Sequence, residues 1–355
     1  MSFDLLNDEV NAGMAGRNAG IPTGFHKLDK YIGLRRRIMT MIFGQSGSGK
    51  SAFLHSTFIL SPFDYIQRNK PDIKFKVILF SMERSKVYLL AKWICRKIFI
   101  EEGVLIPIPK LLGWWENDKL TKDEHDLFLK YRSYLEELLT YVDVIEGAQN
   151  PTGIFKYVRE YSKGNGYFEE ESEFKRVYIP KNNNEVVIIG IDHIGLTKIE
   201  KGYTTKKEAI DKLSEYLQWM RDGLGYIPVL VSQMNRNLSN PLFTKQEATE
   251  PSIDEVKESG NPGEASDCVI SIFDPIRART EDFSYKVKKF VDPASGANYF
   301  RSIKILKNSY GVDSIRSGVA FHGATGTFIE LPHKDHMDGF DYDSLFNGTF
   351  FLENR

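Results

Sequence analysis

Across 355 residues, a hydrophobic content of 41% and a charged content of 27% are those of an ordinary globular chain with ample core, and a formal net charge of -1 excludes a global basic field, so any nucleic-acid contact has to be local. Two cysteines, Cys95 and Cys268, lie far apart among apolar neighbours, which excludes a disulfide framework or a cysteine metal cluster and suits buried thiols in a reducing cytosol. No apolar run reaches the length of a bilayer span, and the acidic start MSFDLLNDEV lacks the basic-then-apolar layout of a signal peptide.

Residues 1–20 read as an arm or linker. Phe3, Leu5, Leu6 and Val10 make one face of a helix too short to fold alone, so it either frays or packs on a neighbouring subunit. Thr23 is placed to cap a short helix carrying Phe25 and Leu28, and the basic run at 35–37 reads as a solvated loop. An apolar strand follows, rich in Ile and Met, which runs into Gly44, Gln45, Ser46, Gly47, Ser48, Gly49, Lys50 and Ser51 and then into a helix start. Gly44, Gly49, Lys50 and Ser51 fit the spacing G-x-x-x-x-G-K-[ST]. Glycines let successive backbone N–H groups turn inward around phosphate oxygens, and the helix N-terminus adds positive potential. Lys50 would reach the β- and γ-phosphates and the Ser51 hydroxyl would ligate Mg²⁺, so the chain is expected to bind a nucleoside triphosphate, ATP with Mg²⁺.

A second apolar strand ends at Ser81, with Glu83 just beyond it and a long helix after that. Ligands of open parallel sheets bind at the carboxyl ends of strands, which places Glu83 beside the nucleotide as the group that orients and deprotonates the attacking water. Residues 104–140 read as peripheral helices, with Thr121 and Glu124 as a capping box, and 141–145 as a short strand. Asn150 and Pro151 open the next helix, and 163–184 reads as a surface hairpin or insertion. The continuous apolar run 185–191 suits a strand buried on both faces, and Asp192 at its end suits the acid that holds the Mg²⁺–water shell opposite Ser51. His193 reads as packed or hydrogen-bonded rather than catalytic. After the amphipathic helix 207–222, a fourth strand ends at Gln233, where an amide would sense the γ-phosphate. The loop 236–251 is of a length that inside a compact domain is functional or disordered. A short helix near 253–259, strands at 267–273, 300–306 and 319–321, and a polar, acidic-aromatic tail at 334–355 complete the chain.

Strands alternating with helices, with the phosphate loop after an early strand, predict an α/β fold with a mostly parallel sheet flanked by helices. The order of the motifs resembles the RecA-like ATPase domain of DnaB-type replicative helicases over about residues 21–333. The resemblance is carried by Ile21, Pro22, Thr23, Gly24 and Phe25, the phosphate loop, Phe80–Ser81–Met82–Glu83, Ile191–Asp192, Val231–Ser232–Gln233–Met234–Asn235–Arg236, Glu255–Val256–Lys257–Glu258–Ser259–Gly260, and Lys307–Asn308 with Gly311. It implies an ATP-dependent DNA helicase that translocates on single-stranded DNA as a homo-oligomeric ring, a hexamer in the family, in a bacterial cytosol or a phage-infected host. It also implies the catalytic glutamate at Glu83, the Walker B acid at Asp192 and the phosphate sensor at Gln233. Arg236 and Lys245 are candidate DNA-phosphate contacts, and primase or a helicase loader is a candidate partner. Two departures stand out. The family's amino-terminal helical domain has no counterpart before residue 21, and Ser309 occupies the place of the arginine that reaches into the neighbouring site. Lys307, alone or with Arg316, is the expected replacement. A RecA-type strand-exchange mediator and a non-motor ATP-switched scaffold or loader are the competing readings.

Overall fold

The computed structural model describes residues 2–16, 18, 20–172, 175–234, 250–258, 261–278, 280 and 285–353. Helix α1 (Ser2–Met14) opens the chain and exposes Phe3, Leu6, Val10 and Met14 at spacings of three and four, a stripe on one helix face. Helix α2 (His26–Ile32) buries Phe25 and Leu28 at its start. Thr23 does not cap it directly. Its N–H and hydroxyl donate to the Asp29 carboxylate at 2.7 and 2.6 Å, so the first turn is braced through Asp29.

Strand β1 (Thr40–Gly44) is buried throughout and leads through the loop into α3 (Lys50–His55). The ladder widens to a π turn over Ser56–Leu60 before α4 (Ser61–Asn69). Pro62 lacks the N–H that an α ladder needs, and the wider turn lies just ahead of it. Strand β2 (Lys74–Ser81) is followed by α5 (Lys86–Glu102), whose N-cap Ser85 accepts the Tyr88 N–H. Helices α6 (Ile108–Leu111), α7 (Lys122–Lys130) and α8 (Arg132–Tyr141) precede β3 (Val142–Glu146). They are more than a rim, because Ile106 and Ile108 share a buried cluster with Ile94, Cys95 and Ile98 of α5. Helix α9 (Pro151–Asn165) runs into the hairpin β4 (Gly166–Ser172) and β5 (Lys175–Pro180). Then come β6 (Glu185–Asp192), α10 (Lys206–Leu224), β7 (Ile227–Gln233), α11 (Ile253–Glu258), α12 (Asn261–Ala265) and β8 (Cys268–Phe273). The chain closes with β9 (Phe300–Asn308), β10 (Arg316–His322), β11 (Thr327–Glu330), α13 (Gly339–Asn347) and α14 (Thr349–Glu353).

One sheet carries the order β11-β10-β9-β8-β1-β7-β6-β2-β3. From β8 to β3 the neighbours run parallel, and β9, β10 and β11 add an antiparallel edge. Both faces are covered. Ile42, Leu79, Ile188 and Val229 pack into one layer, while Met41, Phe43, Phe80, Ile189 and Leu230 pack into the other. Alternation of period two with both faces apolar gives the continuous apolar runs seen in the sequence. The stretch expected as a polar, acidic-aromatic tail is built in. Tyr342, Leu345, Phe350 and Phe351 cover the antiparallel edge together with Phe99 and Phe300. Cys95 and Cys268 are free and buried, and burial pushes both thiols up to about 12. Among the described residues no helix is long and apolar enough to cross a membrane.

His322 makes this edge sensitive to acid. It stacks on Phe99 at 4.7 Å, its Nδ1 meets Thr325 Oγ1 at 3.0 Å, and burial holds it down at about 4. In the unfolded chain the imidazole takes a proton near 6.5, so stability present above that pH is lost as pH falls toward 4. The loss expected by pH 5 is about 2 kcal/mol. Urea melts of wild type and His322→Phe from pH 7 to 5 test it. Parallel pH profiles would show that His322 is not responsible.

Candidate nucleotide site

The sheet register gathers the site. Ser81 on β2 pairs with Asp192 on β6, and Gly44 on β1 pairs with Gln233 on β7, so four carboxyl-terminal strand ends share one edge. Two glycines shape the loop between β1 and α3. A Cβ on Gly44 would lie 2.4 Å from the Ile272 carbonyl oxygen, and Gly49 has φ 103°, a left-handed conformation that side chains disfavour. Helix α3 begins at Lys50, so its unpaired N–H groups face the loop.

Lys50 is buried, and its ammonium donates to the Gln45 carbonyl at 2.6 Å. Burial lowers it to about 8, against the charges of Asp192 and Glu83, so it is still an ammonium at neutral pH. The Ser51 hydroxyl donates to Asp192 Oδ1 at 2.8 Å. Burial raises Asp192 to about 6, with the Ser51 hydrogen bond opposing and Glu83 reinforcing the shift. A hydroxyl and a hard carboxylate oxygen facing each other beside a phosphate loop are a donor pair suited to Mg²⁺, which takes its remaining ligands from water and phosphate. Glu83 lies at the open side with its carboxylate half exposed, 3.6 Å from Arg84 and 4.0 Å from His193 Nε2. His193 is held down by burial, so it stands beside Glu83 as a neutral ring, packed rather than charged.

No family model matches the sequence, and no curated protein matches it. Solved structures do. One, determined as an ATPase domain, aligns with a TM-score of 0.64 over 93% of this chain and 98% of that one, at 19% identity. A DnaB-like replicative helicase, described with its interactions with primase, aligns with a TM-score of 0.62 over 88% of this chain, at 18% identity. The chain spans 64% of that protein's length.

The chain has the fold of a DnaB-type helicase ATPase domain.

Within this RecA-like fold the other expected site residues are spread more widely. Gln233 ends β7 beside Gly44, and Met234 N–H donates to the Gly44 carbonyl at 3.1 Å, which ties the two strand ends together. Lys307 and Arg316 lie on β9 and β10, away from the loop of their own chain. Lys307 donates to the Glu264 carbonyl at 2.7 Å, and Arg316 pairs with the Glu250 carboxylate. Arg236 and Lys245 lie outside the described residues.

Two groups at the site escaped the sequence reading. His55 Nε2 is 3.8 Å from Asp192 Oδ2, and burial drives the ring to about 3, so the contact is made by a neutral imidazole and is no ion pair. Its place one turn after Ser51 on α3 was a readable signal. Lys92 on α5 packs close to Gly326, and its charge is felt at Asp192 and His55. Burial and then Arg84 lower it. Nothing local marks Lys92, because only the packing of α5 on α3 brings it there.

Proposed function

We propose that this chain is an ATP-driven DNA helicase motor that moves on single-stranded DNA as a ring and serves replication. The observation that carries the reading is the meeting of Lys50, Ser51, Asp192 and Glu83 at neighbouring strand ends in a helicase ATPase fold. Loop N–H groups and Lys50 would hold the β- and γ-phosphates of ATP. Ser51 and Asp192 would hold Mg²⁺, which when bound neutralises developing charge on the phosphate oxygens. Glu83 would orient the attacking water and take its proton, and Gln233 would sense the γ-phosphate.

Several features support a site completed by a second copy. Ser46, Gly47 and Glu83 face solvent, so one side of the pocket is open. Tyr310 and Val312 are exposed large apolar residues on the turn between Lys307 and Arg316. Exposed Phe3, Leu6, Val10 and Met14 give α1 an apolar face for a neighbour. In a ring, Lys307 with Arg316 would exchange its carbonyl or carboxylate partner for the neighbour's γ-phosphate. Arg236 and Lys245 would follow the DNA backbone, which needs only local cations. A primase or a loader would be a further partner.

Forked-DNA unwinding with MgATP tests the motor, with Lys50→Met and Glu83→Gln as inactive controls. Wild type is expected to unwind, and Lys307→Ala to hydrolyse ATP about 10²-fold more slowly in the assembled protein. ATPase activity indifferent to DNA, with no unwinding, would favour the switch reading. Filaments and strand exchange would favour the recombinase. A wild-type rate for Lys307→Ala would remove it from the neighbouring site.

A further inference from the structure

Three cations hold the carbonyls of the phosphate loop, two of them from outside it. Lys50, Arg277 and Arg301 donate to three carbonyls of the loop, those of Gln45, Ser46 and Ser48, at 2.6, 2.8 and 3.0 Å. Lys50 belongs to the loop and must leave Gln45 to reach a phosphate. The two arginines come from distant sequence but neighbouring strands: Arg277 follows β8, which pairs with β1, and Arg301 lies on β9, the next strand, 253 residues from Ser48.

We propose that Arg301 and Arg277 are positioning residues of the nucleotide site, which hold the loop in its phosphate-binding shape ahead of nucleotide binding. The proposal rests on the nucleotide reading above. A trans peptide is planar, with its C=O and N–H on opposite sides. A guanidinium on the Ser46 carbonyl therefore aims the Gly47 N–H the other way, and one on the Ser48 carbonyl does the same for the Gly49 N–H. Both N–H groups would then point into the hollow where phosphate oxygens would sit, which leaves less of the loop to order on binding.

Arg301 is built for rigidity. It is buried, its Nη1 pairs with the buried Asp274 carboxylate at 3.2 Å, and its guanidinium lies over the Phe321 ring at 4.8 Å. Asp274 is itself fixed by the Arg277 N–H at 3.0 Å and by Asn298 Nδ2 at 2.7 Å. A buried ion pair is weak evidence for stability, since an apolar pair of like volume often serves as well. What this pair does supply is a fork with a fixed direction, aimed at the loop. The same wall backs the helix start: a Cβ on Gly49 would meet Phe328 at 3.1 Å and Phe321 at 3.2 Å. Arg277 is the looser clamp, exposed and anchored through its backbone to Asp274.

Titration of the full chain with a fluorescent N-methylanthraniloyl-ATP and Mg²⁺, beside steady-state ATPase kinetics, tests this. Arg277→Gln is expected to weaken binding about 3- to 10-fold and Arg301→Met about 10-fold or more, with KM raised and kcat within about 2-fold of wild type. Arg301→Lys restores part of the affinity, since one ammonium reaches one acceptor at a time. Arg301→Met strands the Asp274 charge, so Asp274→Asn/Arg301→Met carries the same expectation if the single variant does not fold, and exposed Arg277→Gln is free of that difficulty. Wild-type Kd and KM in these variants would overturn the proposal, as would a lower kcat at unchanged KM. A wild type that binds the probe no better than Lys50→Met would overturn it by removing the nucleotide reading beneath it, and the wild-type titration alone tells that failure apart.

Discussion

Glu83→Gln is expected to bind MgATP with near wild-type affinity and to hydrolyse it about 10²–10⁴-fold more slowly. The carboxylate is half exposed, and its neighbours Arg84 and His193 stand at 3.6 and 4.0 Å, so folding asks little of it. Its position is nonetheless held firmly. Met82 N–H donates to the Asp192 carbonyl at 2.8 Å, which carries β2 past the sheet edge and keeps Glu83 near enough for its charge to be felt at Asp192 and Lys50. An amide keeps the shape and loses the basicity, so a loss of rate with binding intact assigns proton abstraction to this residue. Single-turnover hydrolysis beside nucleotide titration separates the two quantities. Turnover near the wild-type rate would leave Glu83 as a surface acid.

Lys50→Met should raise the Kd for MgATP roughly 10- to 10²-fold, the loss of a hydrogen bond from a charged donor. The same change should leave the nucleotide-free protein at least as stable. Lys50 is buried and lowered to about 8 chiefly by desolvation, so its charge is a cost to the empty fold that a methionine stem of similar length does not carry. The Gln45 carbonyl it abandons still accepts the Ser48 N–H at 3.3 Å. Thermal melts with and without MgATP test both parts. At the same nucleotide concentration wild type should gain more stability than the variant. A variant that melts early without nucleotide would show Lys50 to be structural instead.

Expected elements and observed ones differ in an instructive way. The loop from Gly44 to Ser51 was legible because its chemistry is local: glycines, a lysine and a hydroxyl at fixed spacing. The places of Glu83, Asp192 and Gln233 were legible because each ends an apolar run or lies just beyond one, and in a parallel sheet such ends fall on one edge. The tail beyond residue 333 was misleading. Its aromatic residues were visible, but the burial of Tyr342, Leu345, Phe350 and Phe351 depends on an antiparallel edge that no local pattern announces. His55 could have been read from helix spacing. Lys92 could not, since its environment is made by another helix.

By itself, then, the sequence determined that a glycine-rich loop with phosphate-loop spacing stands between a buried strand and a helix, and which carboxylates and amide at or just beyond strand ends could serve it. Backbone sterics and period-two burial act over a few residues, and both can be read along a chain. Tertiary structure alone decided the strand order that sets Ser81 against Asp192 and Gly44 against Gln233. It alone brought Arg277 and Arg301 onto the outer carbonyls of the loop, across 231 and 253 residues of chain. Those contacts come from setting β8 beside β1 and the antiparallel β9 beside β8, a strand order that no sequence spacing fixes.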